Sequence, residues 1–213
     1  MPSIVDSVYG PASANLVPRA ALTIALDSYN TDSVVNDLIL LAALMEGPQH
    51  GYALKKLAGF MAGHGDMHNN LVYPLLRRFV ENSWVTKRTA GGERGQKRDL
   101  YTLTSKGKLA LLQRLSHFTE KEASSEHEFR VRVGLFSMLE RQARETILAE
   151  RDRWLARRQE RLDKIQTAMA AMNADAWGHS VMRFYLSQVR AERKWIAEMA
   201  RKAFKSRKHA ARS

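Results

Sequence analysis

Cysteine is absent from the 213-residue chain. That excludes disulfides, thiolate catalysis and cysteine-built zinc sites, and it fits a reducing compartment. Long apolar runs are missing as well. The longest, Leu38 to Met45, is far shorter than the ~20 residues that a membrane helix needs. The opening Met-Pro-Ser-Ile-Val-Asp has neither the basic flank nor the apolar stretch of a signal peptide. These absences lead to the expectation of a soluble, cytoplasmic protein. Acidic charge is in deficit: 22 Asp and Glu face 34 Lys and Arg, a formal net charge of +12. Such an excess draws polyanions, because each cation that meets a phosphate releases a condensed counterion. Nucleic acid is the first candidate partner and an acidic membrane surface the second; a merely basic soluble protein is the plain alternative.

Proline numbers five, and three of them, Pro2, Pro11 and Pro18, fall with Gly10 in the first 33 residues. They argue against one long helix there, and residues 1–33 are read as a loosely ordered arm, for which docking on a partner subunit is one use. From Asp32 and Ser33, both good N-caps, the pattern changes: Val34, Val35, Leu38, Leu41, Ala42 and Met45 recur at helical spacing until Gly47-Pro48. A second helix starts near Gly51 and ends at the loop Gly63-His64-Gly65-Asp66. A third runs from about His68 to Asn82, with Asn69 or Asn70 as cap and Pro74 in or near its first turn. Two strands follow, Trp84–Thr89 and Asp99–Leu103, around the glycine-rich basic turn Ala90–Arg98. Thr104 and Ser105 cap a fourth helix to about Phe118, with Leu109, Leu112 and Leu115 on one face.

Three helices, a hairpin and another helix make the order of a winged helix-turn-helix, assigned to residues 34–120. From Glu126 the chain reads as helix almost to its end, with a turn at Ala174 to Gly178. This second domain, 126–204, carries an apolar stripe through Leu148, Leu155, Leu162, Ile165, Met169 and Met172, and a second around Phe184, Tyr185 and Trp195. The stripes look broader than one helix pair can bury, which implies a partner surface; internal packing is the plainer use. A basic tail, 205–213, follows. The expected fold is mainly α: a winged helix-turn-helix with a long-helix dimerisation domain behind it.

The stretches Leu38–Leu44, Gly47-Pro48, His50-Gly51-Tyr52-Ala53-Leu54, Tyr73-Pro74-Leu75-Leu76 and Tyr101-Thr102-Leu103-Thr104-Ser105-Lys106-Gly107 resemble the PadR family of bacterial transcription regulators. The resemblance covers roughly residues 35 to 115. Phe129-Arg130-Val131-Arg132-Val133 and the helices after it look like the longer subgroup, whose helical C-terminal domain is similar to that of the virulence-gene activator AphA. The resemblance implies regulation of transcription at operator DNA and response to phenolic acids or other aromatic compounds.

A major groove admits one α-helix, whose first turns read base edges while its flanks grip phosphate. The third helix therefore offers His68, Asn69, Asn70 and Tyr73 at its start and Arg77 and Arg78 one turn on. Arg88, Arg94, Lys97 and Arg98 make the wing basic. Any one of these could be a solvated or capping residue; together, in this order, they point to double-stranded DNA. Operator-level specificity needs two half-sites, so a homodimer is expected, with Leu148, Leu155, Leu162, Ile165, Met169, Phe184 and Trp195 as its candidate interface. Trp154, Trp177 and Tyr185 are the candidates for holding a small aromatic effector, against the plainer reading of core packing. His64 and His68 are four apart, but Gly65 lies between them and only Asp66 offers a third ligand, so no metal is assigned. No phosphate loop, hydrolase serine motif or carboxylate pair stands out, and neither catalysis nor a cofactor is expected. The reading is a repressor released from DNA by a small aromatic effector. Its rivals are a regulator without effector, acting through protein contacts, and a basic nucleic-acid-binding protein without sequence preference.

Overall fold

The first helix, α1 (Val34–Ala43), is buried on almost every side, with Leu38, Leu40 and Leu41 fully inaccessible. A helix apolar all round belongs inside, and α1 is the rod against which the rest of the winged helix packs. In the computed structural model, residues 34–61, 67–91, 97–171 and 175–205 are described. The arm at 1–33, the basic tail beyond Lys205, His64, Asp66, Arg94 and Met172 lie outside the described residues.

α1 ends at Ala43, and a 3-10 turn over Leu44–Glu46 carries the chain to Gly47, whose φ of +127° suits only glycine. Next come β1 (Gln49–His50) and α2 (Gly51–Met61). Two residues show no periodicity, which is why β1 escapes a sequence reading. α3 (Asn69–Glu81) buries Val72, Leu75, Leu76 and Phe79 against α1 and α2. His68 takes the cap position without a side-chain capping bond, so Asn69 and Asn70 are first-turn residues and not caps. Pro74 is the sixth residue of α3, deeper than expected, and it leaves the Asn70 carbonyl without its helix donor. α3 closes in a Schellman motif: Ser83 has φ +60°, Ser83 N–H donates to Val80 O and Trp84 N–H to Phe79 O. The accompanying Phe79–Trp84 ring contact spans 5.7 Å.

β2 (Val85–Gly91) and β3 (Lys97–Leu103) form the wing, and β1 adds to the far edge of β3 in an antiparallel sheet of order β1-β3-β2. The register pairs Lys87 with Tyr101, Arg88 with Leu100 and Ala90 with Arg98. α4 (Ser105–Ser116) is capped by Thr104, whose hydroxyl accepts from Gly107 N–H at 3.0 Å. Its buried face is Gly107, Leu111 and Leu115; Leu109, expected on that face, points to solvent.

The helix expected from Glu126 onward is three helices, and a further short one precedes it. α5 (Glu120–Ser124) opens with a capping box between Thr119 and Glu122. α6 (Glu126–Gly134) buries Phe129 and Arg132, and a 3-10 turn at Phe136–Met138 leads on to α7 (Arg141–Ala171). α8 (Ala176–Lys205) starts earlier than expected, with Gly178 inside it, because the Asp175 carboxylate accepts from Trp177 and Gly178 N–H at 2.8 and 3.0 Å. α7 and α8 pack along each other through Leu155, Leu162, Leu186, Val189 and Ile196. Charged pairs stitch the seam: Arg151 to Glu192 at 2.7 Å, Arg193 to Asp152 at 2.8 Å. No helix among the described residues is long and apolar enough to cross a membrane.

Candidate nucleic-acid interface

α3 turns one row of side chains outward. Asn70, Tyr73, Pro74 and Arg77 follow one another at three- and four-residue steps, which one helical face accommodates, and all four are exposed. Asn69 and His68 extend the row at its start, also exposed. Among the described residues, Asn69, Asn70, Tyr73 and Arg77 make no side-chain hydrogen bond or ion pair. Tyr73 is held by its surroundings nonetheless: a Cβ at Gly51 would lie 3.0 Å from its ring, so the start of α2 is kept bare for the phenol.

Arg78 departs from the expected phosphate role. Its guanidinium is ion-paired to the buried Asp37 of α1, which also faces Arg114 of α4 at 3.8 Å. That cluster braces α3 from behind; Arg77, one residue earlier, stays free.

The wing carries its charges on two faces, since successive strand residues point opposite ways. Arg88 and Arg98 share one face and are exposed. On the other, Lys87 donates to Asp99 Oδ2 at 2.7 Å and the Thr89 hydroxyl to Asp99 Oδ1 at 2.9 Å. The Lys87 and Thr89 contacts hold the Asp99 carboxyl below its usual range, and Asp99 in turn raises Lys87. Burial raises the Tyr101 phenol. The charge of Arg77 reaches Lys87, so this face of the wing turns toward α3. Lys87 is not singled out by the sequence, although strand alternation from Val85 places it, with Asp99, beside Tyr101. Arg94 and the side chain of Lys97 lie outside the described residues.

The aromatic candidates separate. Trp154 and Tyr185 line a groove of about 660 Å³ between α5, α6, α7 and α8, together with Arg130, Arg151, Arg158 and Trp195. Trp177 is 83% exposed and does not line the groove. Trp195, expected at a dimer interface, packs edge-on against Phe129 at 5.9 Å and belongs to the groove. Arg151 lies 5.0 Å and Arg158 5.3 Å from the Trp154 ring. Arg151 is paired with Glu192, but Arg158 faces no carboxylate within ion-pair distance among the described residues. Burial first, then the charges of Arg151 and Arg161, hold its guanidinium below the usual arginine range.

The interface candidates divide too. Leu148, Leu155 and Leu162 are buried within the single chain, serving its own α7–α8 core. Met169 is half-buried and its methyl would touch a Cβ at Gly178. Ile165 and Phe184 remain exposed, joined by Trp177 and Val181. No group of His, Asp or Glu among the described residues is arranged to hold a metal.

Residues 40–113 match the family model described as the transcriptional regulator PadR-like family. No curated protein matches the chain. Among solved structures, Bacillus subtilis PadR in complex with operator DNA is 19% identical, over 79% of this chain and 99% of that one, with a TM-score of 0.39. The same Bacillus subtilis protein in complex with p-coumaric acid is 18% identical over 80% and 99%, with a TM-score of 0.36. A Thermoplasma acidophilum protein described as a transcriptional regulator is 29% identical over 37% of this chain and 75% of its own, with a TM-score of 0.35. The matched residues 40–113 build the end of α1, all of α2 and α3, the wing and most of α4, so the likeness to the PadR-like family of transcriptional regulators is a likeness of the winged helix.

Proposed function

We propose that this protein is a transcriptional regulator, a homodimeric repressor that binds double-stranded operator DNA through α3 and the wing, and releases it when a small aromatic acid occupies the α5–α8 groove. The observation that carries the reading is the row of free Asn70, Tyr73 and Arg77 on the open face of α3, beside the wing's exposed Arg88 and Arg98. Asn can bond an adenine edge bidentately, Tyr can bond phosphate, and arginine can grip it. The groove supplies the second half of the reading. Aromatic rings at Trp154, Tyr185 and Trp195 offer faces for a flat ligand, and Arg158, with no carboxylate within ion-pair distance among the described residues, offers a counter-charge for an acid. An effector there would favour whichever dimer geometry it binds better, and so shift the spacing of the two α3 helices.

Retention of the chain's own upstream DNA in a gel, against a scrambled duplex at ~200 mM salt, tests the first half. Selective retention is expected. Asn70→Ala should relax preference at particular base pairs, and Arg98→Ala should weaken all duplexes alike. Equal retention of both duplexes by the unaltered protein would leave the non-specific binder as the reading. Phenolic acids added to the same assay should release the operator from the unaltered protein but not from Trp154→Ala. If no compound releases it, the regulator works without an effector.

A further inference from the structure

Among the described residues, Asp99 is the acidic group on the face of the wing that turns toward α3. It lies opposite Thr89 in the β2–β3 ladder, and its neighbours on that face are Lys87 and Tyr101. Both carboxylate oxygens are engaged, one by the Lys87 ammonium at 2.7 Å and the other by the Thr89 hydroxyl at 2.9 Å. Its backbone carbonyl accepts from His50 Nδ1 of β1 at 3.2 Å, so one residue ties all three strands together. Lys87 is 44% exposed and close enough to Arg77 to feel its charge. By position, then, Lys87 is a further cation of the DNA face, next to Arg77 and on the opposite face of the sheet from Arg88. By contact it is already satisfied.

We propose that Asp99 is a specificity-determining residue: its carboxylate clasps Lys87 inside the wing and withholds that cation from phosphate. This rests on the reading of α3 and the wing as the DNA face. Phosphate contacts carry affinity for any sequence, whereas base contacts carry discrimination. Removing one phosphate contact therefore lowers binding to random DNA and operator alike in absolute terms. A fixed carboxylate beside the backbone adds repulsion that a loosely held, non-specific complex cannot escape by choosing its register. A docked operator complex, with α3 seated on its bases, is held in the one register that keeps phosphates clear of Asp99. The result is a larger ratio of specific to random affinity. The low ionisation range of Asp99 keeps the clasp charged throughout the neutral region.

The test is a salt titration of binding to random and operator duplexes by four full-length proteins: unaltered, Lys87→Met, Asp99→Asn and the double variant. Each phosphate contact contributes about 0.9 to the slope of log affinity against log salt. Lys87→Met alone should leave the slope on random duplex unchanged, because Lys87 is not spent on phosphate. Asp99→Asn should steepen it by about one contact, tighten random-duplex binding about 5-fold near ~100 mM salt, and lower the operator-to-random ratio by a similar factor. The double variant should return to the unaltered slope. Melting curves check that each variant folds, with Asp99→Ser as the alternative should the amide disturb the wing. A slope reduced by Lys87→Met alone overturns the proposal, as does an unchanged slope in Asp99→Asn. Failure of the unaltered protein to bind either duplex would instead overturn the DNA reading on which it stands.

Discussion

Gly107 occupies the tightest contact between the wing and the helix behind it. A Cβ there would lie 2.1 Å from the Trp84 carbonyl oxygen and 2.8 Å from Leu103 Cδ1. The first neighbour is backbone, pinned by Thr104, whose N–H donates to it at 2.9 Å and whose hydroxyl lies 3.0 Å away. It has no room to retreat without unpicking the Schellman turn at Ser83 and the cap of α4. Gly107→Ala is therefore expected to cost about 3 kcal/mol or more, against the usual 1–3 kcal/mol for added core volume. The drop in urea midpoint measures it. Alanine at Gly134, where a Cβ meets nothing within 4 Å, is the control that should fold normally. The sequence displays Thr104-Ser105-Lys106-Gly107 as a motif, but the reason for its glycine is a contact with Trp84, 23 positions earlier (107 − 84), visible only in three dimensions. Arg78 makes the same point. In sequence it is the twin of Arg77; in the fold, the buried Asp37 of a different helix claims it.

The elements themselves were largely legible. Helical spacing located α1 to α4, and alternation with β-formers located the wing, each within a few residues. The open row of α3 was legible for the same reason, since its buried Val72, Leu75, Leu76 and Phe79 fix which side remains. The joint between winged helix and long helices was not. Thr119-Glu120-Lys121-Glu122 has the spacing of a capping box and could have revealed α5. Phe129, Val131 and Val133 alternate like a strand, which hides that helical period puts Phe129 and Arg132 on one buried face. Arg132 is fully inaccessible, donating to Glu122 Oε1 at 2.5 Å, to Glu128 Oε2 at 3.3 Å and to His117 O at 3.3 Å. It fastens α5 and α6 to the end of α4. Removing one partner of a buried ionic cluster costs more than the cluster is worth, because it strands the others. Arg132→Met should lose about 2–4 kcal/mol at neutral pH, discounted for the part-exposed carboxylates. Burial already raises Glu128 above its ordinary 4.5, with Arg132 opposing. In the variant that opposition is gone, so its folded value rises further above the unfolded one. A carboxyl with a raised folded value contributes stability below the unfolded pKa and loses it as pH rises through the folded one. The deficit of Arg132→Met should therefore shrink as pH falls from 7 toward ~4.5, and paired urea titrations across that range check the sign. A deficit that is flat with pH would show the carboxylates play no part.

At the scale of the whole molecule, α8 has more apolar faces than one partner helix can use. Leu186, Val189 and Ile196 face α7 and are buried. Trp177, Val181 and Phe184 lie at four- and three-residue steps on a different side, 83%, 49% and 58% exposed. The same steps lead on through Gln188 and Ala191 to Trp195, so the open stripe runs from the start of α8 into the aromatic groove. Large exposed apolar side chains in a continuous row mark an association surface, and a second copy presents the same row, which a two-fold interface requires. That seam would set the distance between the two α3 helices, and its continuity with the groove would let an occupant alter that distance. Phe184→Glu is expected to yield a folded monomer in sedimentation, with little change in melting, since the ring is 58% exposed and meets only the neighbouring Tyr185 ring, at 6.1 Å, among the described aromatic contacts. Operator affinity should fall by about 100-fold or more, as one winged helix reads only one half-site. Leu186→Ala gives the contrast, costing about 2–4 kcal/mol of stability while leaving the sedimenting species unchanged. If Phe184→Glu still sediments as a dimer, the two copies meet elsewhere, and the link between groove and α3 spacing is lost with the seam.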